Sequence, residues 1–200
     1  MGVVVAQLLL PGSLVPGPNW LLPAVEGLLV GGLVAADPSR LTAESKDLRL
    51  LALTVIGLVG LVNATSLILL LRRLIHGGFS DGATLLGAAA GVWLTNVVVF
   101  GLLYWELDRG GPLGRVGART APSYPDLLFP QDTAPKTTDP GWRPAFPDYL
   151  FVSLTSSTAF SPTDTMPLTH RAKLLMGSQA LVSLLTVGLV AARAVNVLKG

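Results

Sequence analysis

Residues 148–173 read DYLFVSLTSSTAFSPTDTMPLTHRAK. Ser153, Thr155, Ser156, Ser157 and Thr158 stand close together, and Ser161, Thr163, Asp164 and Thr165 follow within a few positions. Oxygen-rich segments of this kind can replace water around a cation in a narrow passage. A short apolar stretch precedes the polar run and a long apolar stretch follows it. About eleven helical residues, 148–158, span only ~16 Å, so this piece cannot cross a bilayer. It is interfacial, re-entrant or packed inside protein. Irregular backbone at membrane depth is tolerated only where it is buried or lines water.

Covalent chemistry has little to work with. The chain has no cysteine, which removes disulfides, thiol catalysis and Cys-ligated zinc. Its two histidines, His76 and His170, lack metal-ligand spacing, and no nucleophile elbow accompanies the Asp, His and Ser residues near Asp164. There is no phosphate loop and no dinucleotide fingerprint. No enzyme activity, cofactor or metal site is expected. The net charge of +2 comes without a long basic stripe, so nucleic acid is not an expected partner.

The elements that must position the polar run are membrane helices. Half of the 200 residues are hydrophobic and 13% are charged, whereas a soluble domain carries about a quarter charged residues. Charges avoid four long windows, which predict helices over 19–36, 48–74, 83–105 and 168–198. Trp20 suits a headgroup layer at the entry of the first, and Tyr104 with Trp105 suits an aromatic belt at the exit of the third. Four regions follow: an N-terminal segment 1–18, a three-helix membrane region 19–105, a solvent-side loop 106–147 rich in Pro, Gly, Asp and Arg, and a module 148–198. Pro147 opens the short helix, where proline is favoured because that N–H has no intrahelical partner. Residues 2–10 are apolar but lack a preceding basic residue, so they do not read as a secretory signal. They form a short interfacial piece or the remnant of a further membrane helix.

From 147 to 198 the sequence resembles the pore module of the tetrameric potassium-channel superfamily. The potassium filter reads T-T-V-G-Y-G-D. Without a gap, this chain reads Thr158, Ala159, Phe160, Ser161, Pro162, Thr163, Asp164, then Pro167, Thr169 and Lys173. The resemblance implies an all-α integral membrane fold: four transmembrane helices plus one short re-entrant pore helix, assembled as a homotetramer in the plasma or cell inner membrane. It also implies a filter at 158–164 and a permeant inorganic ion, a monovalent cation. The departures alter the expected selectivity. Potassium filters need glycines whose positive φ aims carbonyls at the axis. Ser161 and Thr163 occupy those places, Pro162 holds φ near about −65°, and Ala159 replaces the threonine of the innermost site. A wider pore lined by Ser161, Thr163 and Asp164 is expected, with a ring of Asp164 carboxylates favouring cations. The alternative is a non-conducting scaffold or sensor on the same architecture, with Phe160 and Pro162 plugging the centre and Asp164 serving as a helix or turn cap. LLFP at 127–130 and Trp142 would rest on the bilayer surface or cap the mouth. The whole chain also resembles a set of uncharacterised small bacterial multi-pass membrane proteins, through YWELDRGGP (104–112) and TAFSPTDTMP (158–167).

Other polar groups fall inside the predicted spans. An ionisable residue there is expensive and is functional or paired, which makes Glu26 a candidate for an ion or proton path or for a buried structural contact. Asn63, Ser66, Asn96 and Asn196 suit interhelical hydrogen bonds. Gly177 and Gly188 permit close packing or a bend. No row of spaced arginines marks a voltage sensor. Arg72, Arg73 and His76 suit a cytoplasmic end of the second helix, while Arg40, Lys46 and Arg49 weigh against the matching orientation of the preceding linker.

Overall fold

The computed structural model describes residues 46–76, 82–117, 124–134, 139, 141–158 and 164–197. The chain is mostly helical. Helix α1 (Lys46–Ile75) ends with Arg72 and Arg73 in its last turn. His76 follows, its Nδ1 2.7 Å from the Arg72 carbonyl. Helix α2 (Gly82–Leu107) runs into a 3-10 turn (Asp108–Gly110) and a short helix α3 (Gly111–Gly117). Strand β1 (Leu127–Leu128), helix α4 (Pro130–Thr133), helix α5 (Phe146–Thr158), strand β2 (Met166–Pro167) and helix α6 (His170–Val197) complete the order. Among the described residues, three helices are long and apolar enough to cross a membrane: Arg49–Ile75, Leu85–Gly110 and His170–Ala191. The expected span at 19–36, with Trp20 and Glu26, lies outside the described residues, as does the N-terminal segment 1–18.

The described residues fall into two compact units. One contains 57–76, 82–96 and 181–197. Its apolar core is Leu70, Leu85, Ala88 and Ala89, with Leu69, Leu74 and Val190 packed against it. The two alanines bring little bulk, the side-chain size that lets membrane helices approach. Asn96 Nδ2 donates to Ser183 Oγ at 2.9 Å, an interhelical bond of the expected kind. Asn63 and Ser66 are buried in the same unit. The Asn196 side chain lies outside the described part.

The other unit contains 46–56 and the described part of 97–180. Here α2 ends in a left-handed run: Arg109 has φ 52°, Gly110 77° and Gly111 83°. This run reverses the chain. A Cβ on Gly111 would stand 2.8 Å from the Glu106 carbonyl oxygen and 3.2 Å from Arg49 Nε, whereas one on Gly110 would meet nothing within 4 Å. Gly111→Ala is therefore expected to cost about 3 kcal/mol, and Gly110→Ala about 1 kcal/mol from backbone conformation alone. Thermal unfolding in detergent separates the two. Equal losses would mean that the Glu106 contact relaxes freely.

Helix α5 has 13 residues, ~20 Å of rise, and cannot cross a bilayer. Its start is reciprocally capped. Ala145 N donates to Asp148 Oδ2 at 2.7 Å, and Asp148 N donates to the Ala145 carbonyl at 3.0 Å. Pro147 sits in the first turn, where its missing N–H costs nothing. Tyr149, Val152, Ser153, Ser156 and Ser157 are buried. That spacing forms one helical face, and it is mainly hydroxyl rather than apolar. On other faces, Phe151 and Leu154 are exposed.

Candidate functional site

Helix α5 makes an excursion from a level at which residues 164 and 165 stand again. Asp164 and Thr165 line a cavity together with Pro147 and Asp148, from the start of α5. Immediately beyond, β2 pairs antiparallel with β1, in the register Leu127↔Pro167 and Leu128↔Met166. Of the expected filter, Thr158 is exposed at the far end of α5 and Asp164 is exposed at the returning end. Ala159, Phe160, Ser161, Pro162 and Thr163 lie outside the described residues.

Two polar assemblies hold this excursion. The deeper one centres on Gln179 of α6, which is fully buried. Its two Nε2 hydrogens are shared among the Ser153 carbonyl at 2.9 Å, Ser153 Oγ at 2.6 Å and Ser157 Oγ at 2.8 Å. Its Oε1 accepts from the Tyr104 hydroxyl of α2. Ser153 Oγ donates in turn to the Val97 carbonyl at 2.6 Å. One amide thus ties the short helix to two long ones. Close approach makes room for this. A Cβ on Gly101 of α2 would stand 3.3 Å from the Leu150 Cα, so α2 and α5 meet nearly backbone to backbone.

The other assembly grows from the turn after α2. Asp108 is 1% exposed. Its Oδ1 accepts from Asp126 N at 2.7 Å and Leu127 N at 3.2 Å, and its Oδ2 accepts from the Tyr149 hydroxyl at 2.6 Å. Arg109 Nε lies 3.3 Å from Oδ2. A buried carboxylate is tolerable only with such compensation. Arg115 donates through Nη1 to the Trp105 carbonyl at 2.8 Å and the Asp108 carbonyl at 3.0 Å. Its guanidinium stands 5.6 Å from the Trp105 ring centroid and 5.0 Å from that of Tyr149, within cation–π range. Burial pushes the Tyr149 phenol up, so it remains a donor to Asp108 at physiological pH. Burial also pushes the Arg115 guanidinium down, although arginine starts so high that it stays charged.

Asp126 carries the clasp onward to α6. Its carbonyl accepts from Leu168 N at 2.8 Å. Its carboxylate accepts from Thr169 Oγ1 at 2.5 Å and pairs with Arg171. Thr169 Oγ1 accepts from Ala172 N at 3.2 Å and so caps α6. Arg109 pairs with Asp132 of α4 at 2.5 Å. Phe129 packs edge-on against Tyr149 and Trp142, with centroids 5.3 and 5.9 Å away. The start of α5, the start of α6 and the loop after α2 are therefore joined at one level.

Several of these residues have roles that the sequence did not announce. Tyr104 and Trp105, which suit an outward aromatic belt, are 2% and 7% exposed. Leu127 and Phe129 are buried rather than laid on a surface. Residues 106–147 contain α3, β1 and α4 as well as loop. Gln179 carried a legible signal, an amide within an apolar helix, where an unpaired polar group is expensive. Thr155 and Thr158 satisfy carbonyls within α5 itself, at Phe151 and Leu154 among others. Ser156 is buried and its hydroxyl has no partner among the described residues.

Compared with protein-family models, with curated proteins and with solved structures, the chain finds no match in any of the three.

Proposed function

We propose that this chain is an ion-channel-like membrane protein, assembled as a homotetramer in the plasma or cell inner membrane and permeable to monovalent cations through residues 158–164. The observation that carries this reading is the docked excursion. A helix too short to span is fastened by Gln179 and Asp108, and the chain returns to the level from which it left. That is the arrangement in which a polar backbone segment can sit at membrane depth. Thr158, Ser161, Thr163 and Asp164 would supply oxygens to the ion, with Ala159, Phe160 and Pro162 shaping the passage. The serine and threonine at the glycine positions of a potassium filter favour a wider, partly hydrated path over a stack of dehydrated sites. One copy cannot enclose an axis, so several are required. The exposed Phe151 and Leu154 of α5, with Leu174, Leu181 and Leu184 of α6, offer apolar surface for neighbouring copies or lipid.

The test is reconstitution. Purified tetramers in planar bilayers should carry sodium and potassium currents and exclude chloride. Asp164→Asn should lower conductance several-fold at low salt, with the difference fading as salt rises, because a mouth charge acts by concentrating counter-ions. Intact tetramers that stay silent across ions and voltages would instead support a non-conducting scaffold or sensor. A monomer or dimer in nanodiscs would remove the enclosed axis and the proposal with it.

A further inference from the structure

The cavity beside the start of α5 has features that conduction does not explain. Its volume is about 250 Å³, below the range of about 300–1,000 Å³ for drug-sized ligands but above the roughly 150 Å³ that holds a benzene ring. Phe129, Pro130, Pro147, Phe151 and Val152 supply apolar walls. Asp148 and Asp164 both line it, and among the described residues no Lys, Arg or His does. One oxygen of Asp148 accepts from Ala145 N, and the other has no hydrogen bond among the described residues. Asp164 makes no hydrogen bond or ion pair among the described residues. Gln131 also lines the cavity, and its Oε1 is buried without a hydrogen-bond partner. The Phe129 ring is held by its edge contacts with Tyr149 and Trp142, so its wall is rigid.

We infer that this cavity binds a small organic ammonium ion, a primary amine with an apolar body. The ammonium supplies donors to the Asp164 and Asp148 carboxylates. The body lies against the phenyl and prolyl walls, where aromatic faces also attract a cation. A hydrated inorganic ion fits less well. The apolar walls cannot replace its water, and among the described residues no group of three or more His, Cys, Asp or Glu side chains could hold a metal ion. The inference does not rest on ion permeation, and its test reads binding alone.

The experiment is calorimetric titration of the purified full-length protein in detergent with benzylammonium chloride, with benzyl alcohol as the neutral comparison. Saturable binding is expected for the amine, at least about tenfold tighter than for the alcohol, the difference that one charge-assisted hydrogen bond supplies. Asp164→Asn should weaken the amine about tenfold and leave the alcohol unchanged. Asp164 is the informative position because Asp148 also caps α5, and changing it would disturb the helix. Phe151→Ala, at an exposed wall, should weaken both probes. Equal binding of amine and alcohol would overturn the inference, as would absent saturation or indifference to Asp164→Asn. A protein that is silent in bilayers but binds the amine in this pattern would retain this site and lose only the channel reading.

Discussion

Asp108→Ala is expected to destabilise the protein by about 3–5 kcal/mol, the cost of breaking a buried charge assembly from one side. The carboxylate is 1% exposed and accepts from Asp126 N, Leu127 N and the Tyr149 hydroxyl. Alanine would leave those three donors unpaired and remove one of the two carboxylates that Arg109 faces, leaving it Asp132 alone. Asp108→Asn keeps an acceptor for the two backbone donors and should recover part of the loss. Tyr149→Phe removes one donor only and should cost about 1 kcal/mol. Reversible unfolding in mixed micelles gives this ranking. Hydrogen exchange over residues 124–129 gives its location, because the loop should lose protection in Asp108→Ala before the long helices do. A variant as stable as the parent would show that the assembly is incidental to the fold.

The second large effect is at Gln179. Gln179→Leu keeps the volume and removes the amide, leaving the Tyr104 hydroxyl and the Ser157 hydroxyl without it. Single interhelical hydrogen bonds in membranes contribute about 0.6 kcal/mol, with an upper range near 1.7. Its two amide hydrogens are shared among three acceptors and its carbonyl takes the Tyr104 hydroxyl, about three full bonds, so a total of about 2–3 kcal/mol is expected. The loss should concentrate on α5, because three of those contacts are with Ser153 and Ser157 of that helix. Pairing Gln179→Leu with Ser153→Ala in a double-mutant cycle should give a coupling of about 1 kcal/mol. Strict additivity would mean that the two side chains do not stabilise one another. If the chain conducts as proposed, Gln179→Leu should also reduce current more than it reduces tetramer recovery, because the helix that presents Thr158 would be loosened.

The two assemblies show which parts of this molecule are local. The long helices were legible because hydropathy over a span is a sum over neighbours in sequence, and the bilayer imposes the length. Helix α5 was legible for the same reason. Pro147 and Asp148 mark its start, and the hydroxyl residues 153, 156 and 157 repeat at helical spacing. The sequence alone therefore determined a chain rich in membrane-competent helices, with a short, polar-faced helix ahead of the last one. It did not determine what that face touches. Tyr104 meets Gln179 across 75 residues, and Tyr149 meets Asp108 across 41. Composition made 106–147 look solvent-facing because Asp, Arg, Pro and Gly prefer water or turns when taken singly. Folding pairs Arg109 with Asp132 and Asp126 with Arg171, 23 and 45 residues away, and brings the Tyr149 hydroxyl to Asp108. A buried charge is tolerated only when its partner arrives, and which partner arrives is a property of the three-dimensional arrangement rather than of any window of sequence.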